Sequence, residues 1–352
     1  MPRWCCVSRP CERVGPVMRI MGRRRALGAV LAGAFLLAGC GTGPSQVGMA
    51  AVVDGQVTTI DQIQALLDRA VQEQPYARQL ASRHQLDLVG REIVRQTLLH
   101  EVVEKAAQKE GIAVDEATVS EAMQQDPLAS PVPEAVTQDQ SAAVTQLVWR
   151  LRDHREAITD QYLQQRIALK YLPTLSVNFD YTSIGAPTSE SQAPSIDPKA
   201  ARSQAIAKAE EYASDPGKIQ ADIQSGAQGN VGQQAPALSS PQDAATVLFG
   251  VPANTAIAFQ PNPASAPTWW VTAVVRKRTT DAKVATDQVQ QPTAAQLGAI
   301  GVRMLQPYVG NVDFKINPRY GVWDAVGMNL APSAAEVTGV AVPLRGGAPA
   351  QQ

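Results

Sequence analysis

Cysteine is scarce in this chain of 352 residues, and its four copies are badly placed for a disulfide framework. Cys5, Cys6 and Cys11 sit at the extreme N-terminus and the fourth is Cys40, so a chain starting at Cys40 has no internal disulfide and must be stabilised by apolar packing. Histidine is scarcer still, with His84, His100 and His154 alone. His100-Glu101-Val102-Val103-Glu104 carries half of the H-E-x-x-H metalloprotease pattern and lacks its second histidine. Zinc needs at least three protein ligands, so no metal is expected and His100 reads as a surface helix residue. No Gly-x-Ser-x-Gly elbow occurs, and no serine has a base in a recognisable motif. "GAQGNVG" at 226–232 lacks the Lys-Ser/Thr of a phosphate loop, so no nucleotide or other cofactor is expected. A basic surface is missing as well. The formal charge is −1, but residues 1–39 hold seven Arg and one Glu; without them 24 basic residues face 31 acidic ones, about −7. That balance excludes an electrostatic footprint for nucleic acid.

The N-terminus is where charge and hydrophobicity are ordered. Arg19, Arg23, Arg24 and Arg25 precede the apolar run "ALGAVLAGAFLLAGC", which ends at Cys40. Positive charge, then about 13 apolar residues, then small residues is the order of a secretory signal, and it is too short for a membrane span. Leu37-Ala38-Gly39-Cys40 resembles the lipobox of bacterial lipoproteins. The resemblance implies cleavage between Gly39 and Cys40 and lipidation of Cys40; the bland alternative is a plain signal peptide with an incidental cysteine. Residues 1–17 precede alternative starts at Met18 and Met21 and read as a mis-assigned start rather than a working element. Two or more acyl chains make a stable anchor. The expectation is therefore a protein held on the extracytoplasmic side of a membrane by its lipid, with residues 40–48 as a Gly/Ser/Pro tether.

Beyond the tether, "AAVVDGQVTTIDQIQALL" reads as a short strand at Ala50 to Val53, a turn at Asp54-Gly55, and a helix opened by Thr59 with Gln62 in capping-box spacing. A long helix is predicted over Leu86 to Glu110, where Val94, Leu98, Val102 and Ala106 form one stripe and Gly111 ends it. Asp115 caps the next helix, and a third long helix is predicted from Ser141 to Tyr171. The pattern then changes to strand, with Val177, Phe179 and Tyr181 on one face. The Ala-rich helix "KAARSQAIAKAEEYA", a strand around Ile257 and the strand beginning at "WWVTAVVRKR" follow. Adjacent residues of a strand point to opposite faces, so Trp269 and Trp270 cannot share one core. Either one is core and the other packs on a neighbouring element, or Trp270 belongs to a shallow apolar surface. A helix over Thr293 to Gln306, a strand with Val312, Phe314 and Ile316, and "NPRYGVWD" come next; there Tyr320 and Trp323 read as locks for the returning strand. Residues 331–352, rich in Ala, Pro and Gly, are expected to be disordered.

Residues 49–173 resemble, in pattern and register, the N-terminal domain of SurA-type periplasmic chaperones. "INPRYGVWD" resembles the C-terminal segment of lipoprotein relatives of SurA and PrsA, which folds back onto that domain. The resemblance implies an α+β chain: a mainly helical SurA-N-like domain at 49–173, completed by a helix and strand from 285–330, with Ala50 to Val53 paired to Val312 to Ile316. Between them, residues 174–284 resemble in outline a small α+β parvulin-type prolyl isomerase domain, and "QGNVG" at 228–232 resembles its glycine turn. The parvulin chemistry is not matched. Thr182 or Ser183 stands at the first catalytic histidine position and Trp270 at the second; Leu238 falls on the proline-holding wall, and Gln242 stands where an aromatic ring is expected. The implied site of Ser183, Leu238, Gln242 and Trp270 is therefore degenerate, with no catalytic residue.

What the resemblance implies is a lipid-anchored extracytoplasmic chaperone of the SurA/PrsA type. It would bind unfolded or newly exported polypeptides in a groove between the helical domain and the insertion, without cofactor, metal or nucleic acid. Two rival functions remain at this stage: an active prolyl isomerase, and a scaffold lipoprotein with one fixed envelope partner.

Overall fold

The first turn shows how local chemistry sets the start of the fold. Asp54 and Gly55 both take positive φ (48° and 84°), the two-residue turn whose twist suits a hairpin. It joins β1 (Met49–Val53) antiparallel to β2 (Gln56–Thr59). The structure, a computed structural model, describes residues 48–133, 139–186, 196–282 and 291–345; the leader with Gly39 and Cys40 lies outside the described residues.

Helices α1 (Ile60–Glu73), α2 (Pro75–Ser82), α3 (Leu86–Glu110) and α4 (Glu116–Gln125) follow. Thr59 and Gln62 form the reciprocal capping box at the start of α1, and Asp115 caps α4. The single helix expected from Ser141 to Tyr171 is two, α5 (Gln140–Trp149) and α6 (His154–Tyr171). Asp153 makes the break: its carboxylate accepts the Glu156 N–H at 2.9 Å and starts α6 afresh.

The middle of the chain runs β3 (Ser176–Ile184), α7 (Pro198–Ser214), α8 (Lys218–Gln224), β4 (Gly229–Pro236), α9 (Pro241–Ala244), α10 (Val247–Gly250), β5 (Thr255–Phe259) and β6 (Trp270–Thr279). The chain continues through α11 (Ala294–Met304), α12 (Gln306–Val309), β7 (Phe314–Ile316), β8 (Val322–Asp324), β9 (Asn329–Ala331) and β10 (Gly339–Pro343). The architecture is mixed α and β, with three antiparallel sheets among the described residues: β2-β1-β7, β10-β5-β6-β3-β4 and β8-β9. Ala51, Val52 and Val53 pair with Ile316, Lys315 and Phe314, so the returning segment closes onto the opening hairpin. Tyr320 is buried there, in the same cluster as Val89 and Ile93, and Trp323 stands edge-on to Phe314 with ring centroids 5.9 Å apart.

Two expectations about local structure are corrected. "QGNVG" does not form a turn: Gly229 to Gly232 belong to β4, paired with β3 through a bulge where the register slips between Phe179 and Tyr181. Gly232 supplies the positive φ (66°) that the bulge needs. Residues 331–345 of the expected disordered tail are also structured. Every residue of β5 is buried, and without a neighbour its outer edge would leave buried backbone groups unpaired. β10 fills that edge, with Val340 opposite Ala258 and Val342 opposite Ala256. Asp324 fixes the approach: its buried carboxylate accepts from the Val326, Gly327 and Thr338 N–H groups at 3.0, 3.0 and 2.6 Å.

The core runs through the boundary expected near residue 173. Leu98 and Leu99 of α3, Leu163 and Ile167 of α6, Val177 of β3, Ala273 and Val275 of β6, and Ile300 and Met304 of α11 belong to one buried cluster. Apolar packing therefore fills the place where a groove between helical domain and insertion was expected. The other face of the five-stranded sheet is covered by α7, whose Ala201, Ala205 and Ala209 meet Trp270 and Ala258.

Candidate functional site

A cleft of about 560 Å³ opens among α3, α5, α6 and α11, with the β8–β9 turn at one end. Its depth depends on how closely α11 lies on α6. A Cβ on Gly301 would sit 2.1 Å from the Gln164 carbonyl oxygen, so only glycine allows this approach. The walls are mixed: Trp149 and Val302 offer partly exposed apolar surface, Leu99 and Met328 back it from the core, and Gln96, Gln161 and Gln164 contribute carboxamides.

One wall is an ion-pair cluster on α3, α6 and the link that precedes α6. His100 Nδ1 lies 3.0 Å from Asp160 Oδ1, and Arg152 Nη2 donates to Asp160 Oδ2 at 2.6 Å and also to Glu156. Nδ1 therefore carries a proton in either charge state of the ring. The Asp160 hydrogen bond holds the His100 pKa above its ordinary value against the opposing pull of burial, with Asp160, Glu156 and Glu104 adding negative potential. His100 and Arg152 also line a second cavity of about 880 Å³, so the pair stands in the wall between the two. The expectation of His100 as a surface residue is thus corrected: it is half-buried and pairs across to α6. His100, Glu156 and Asp160 bring ligand-type atoms within 4.8 Å of one another, but the Arg152 guanidinium already occupies an oxygen of each carboxylate. A metal ion would have to displace it, which disfavours a metal centre.

At the other end stands Arg303, 8% exposed, bonded to three neutral acceptors: Ala245 O at 3.0 Å, Gln306 Oε1 at 2.7 Å and Val326 O at 2.9 Å. Among the described residues no carboxylate lies within salt-bridge distance of it. Burial pulls its pKa down to about 10; the charge of Asp324 opposes this from beyond contact, and Arg95 reinforces it. The group is still charged at neutral pH. In the same cleft, Gln96 Oε1 and Gln161 Nε2 are buried without a hydrogen-bond partner among the described residues.

The site expected from the parvulin resemblance does not assemble. Trp270 is 2% exposed and packs beneath α7. Ser183 pairs with Val271 and falls on the opposite side of the strand from Thr182, whose hydroxyl lies 3.2 Å from Tyr212 on the α7 face. Leu238 is in the core cluster on the far face of the sheet, and Gln242 is exposed on α9. The reason is the strand period of two: Trp270, Thr272 and Val274 face α7, while Val271, Ala273 and Val275 face the main core. Trp270 is thus a packing residue and not part of a shallow binding surface. Its indole Nε1 and that of Trp269 are both buried without a partner among the described residues.

The residues that do line the cleft were not foreseen as a site. Arg152 and Asp153 lie where one continuous helix was expected. The readable signal was Asp153 followed three residues later by Glu156, an N-terminal pattern in the middle of "RDHREA". No protein-family model matches the chain, and no curated protein matches it.

Proposed function

We propose that this chain is a lipid-anchored, extracytoplasmic chaperone-like protein of the SurA/PrsA type, which binds unfolded or newly exported polypeptides without catalysis. In this reading residues 49–173 and 285–330 form the SurA-N-like part, and 174–284 is a parvulin-like unit that serves as architecture. Anchoring rests on Gly39-Cys40 and the preceding apolar run. Among the described residues, no helix is long and apolar enough to cross a membrane.

The observation that carries the reading is the cleft on the helical side. Carboxamides match the hydrogen bonding of a peptide backbone, and the partly exposed Trp149 and Val302 match apolar side chains. A mixed lining of this kind tolerates many sequences. In this reading the binding place is the space among α3, α5, α6 and α11 rather than the domain boundary, which is filled by apolar packing.

Prolyl isomerisation is the weaker reading. Its barrier is roughly 20 kcal/mol, and Ser183, Leu238, Gln242 and Trp270 do not face a common space in which to lower it. The expected outcome is suppressed aggregation of an unfolded client in a light-scattering assay, with no acceleration of cis/trans exchange in a proline peptide. A scaffold lipoprotein would instead return one stoichiometric partner in a pull-down.

A further inference from the structure

The cleft has an electrostatic polarity that a general polypeptide binder does not need. Arg303 is a buried cation without a contacting carboxylate among the described residues, and Arg95 lines the same cleft. Arg95 has Glu92 at 2.9 Å; Arg303 has only carbonyl and carboxamide oxygens. A guanidinium carries five N–H donors, and the three bonds of Arg303 leave two of them without a partner among the described residues. Two free N–H groups on one guanidinium are suited to the two oxygens of a carboxylate.

The same cleft has an unmatched acceptor, Gln96 Oε1, and an unmatched donor, Gln161 Nε2. Gln96 is 3% exposed, and its Nε2 is already committed to Glu92 and to the Thr145 carbonyl, so its oxygen is the end left over. A group that supplies one N–H and one C=O together is an amide. Neither Gln atom is exposed at the cleft surface, so a ligand must part the side chains over them as it seats.

We propose that this cleft captures the carboxy-terminal end of a polypeptide, with the terminal carboxylate on Arg303, a peptide group between Gln96 and Gln161, and an apolar side chain against Trp149 and Val302. The inference rests on the polypeptide-binding reading above and specifies which part of a client enters. A carboxylate held by a buried guanidinium contributes roughly 1.5–3 kcal/mol relative to a neutral group, about tenfold or more in affinity.

The test compares three labelled versions of one apolar hexapeptide by fluorescence anisotropy with the purified full chain. They are the free acid, the C-terminal amide, and an amide whose last residue is Glu. The free acid should bind at least about tenfold more tightly than either amide. That preference should collapse in R303Q, with folding of the variant checked by circular dichroism, while Q161A should weaken acid and amide alike and leave their ratio unchanged. Should R303Q fail to fold, the acid-to-amide ratio on the unaltered chain still decides. Equal binding of acid and amide overturns the proposal and leaves the polypeptide reading standing. Equal binding of the free acid and the Glu-ended amide also overturns it, since any carboxylate would then serve. No binding of any version overturns it as well, and the polypeptide reading falls with it only if client aggregation is also unaffected.

Discussion

Replacing Trp270 by alanine separates a packing tryptophan from a ligand-facing one. The side chain is 2% exposed and fills the space between β6 and the alanines of α7. Ala201, Ala205 and Ala209 have no length with which to close the gap, so most of the cavity persists. Large-to-small changes of this kind cost about 3–5 kcal/mol, the upper part applying where the site cannot collapse. Phenylalanine is the control. Nε1 of Trp270 has no hydrogen-bond partner among the described residues, so W270F forfeits no bond and leaves a smaller void, costing about 1 kcal/mol. W270H would bury a polar ring beneath α7 and restore no isomerase chemistry. Urea unfolding followed by far-UV circular dichroism measures both differences, with unchanged m-values marking a stability effect. A W270A variant within 1 kcal/mol of the parent that nonetheless lost peptide binding would refute the assignment.

Other perturbations probe the cleft. Because the His100 pKa is raised when folded, the protonated ring's contribution to stability is fully present below the ordinary value of 6.5 and lost as pH rises through the folded pKa. Denaturation midpoints should therefore fall from mildly acidic pH upward, and H100Q, still facing Asp160, Glu156, Glu104 and Arg152, should flatten that part of the profile. D160N should destabilise by about 3 kcal/mol in urea unfolding, at the low end for a broken buried pair because Glu156 still holds Arg152. G301A should cost about 1–3 kcal/mol or more, since α11 must lift from the Gln164 carbonyl, and it should weaken peptide binding by misshaping the cleft.

Those sites differ in how plainly the sequence announced them. The capping box at Thr59, the Leu86–Glu110 helix and the alternation of Val177, Phe179 and Tyr181 are local signals, written within a few residues, and all three are present as read. The pairing of Ala51 with Ile316 spans the chain, and it was legible only through a resemblance at both ends. The cleft was not legible, because its polarity depends on Arg303 meeting no carboxylate among the described residues and on Gln96 and Gln161 lining one cavity, which are properties of packing. The break at Asp153 was local but was masked by apolar residues that continue at helical spacing on both sides. Likewise Val340 and Val342 alternate as a strand does, yet the surrounding Ala, Pro and Gly suggested disorder until β5 was seen to need a partner. For Trp270 the family-like position implied a degenerate site, whereas its strand parity sends it under α7, the packing alternative the sequence also left open.

The claim at the centre of the account is that this chain holds unfolded polypeptide. The direct measurement is light scattering from a chemically unfolded, aggregation-prone client diluted into buffer with the purified chain at rising molar ratio. Scattering should fall in proportion to the chain added, and R303Q or G301A, if folded, should shift the curve to higher ratios. Unchanged scattering at a several-fold molar excess of the intact chain would contradict the account.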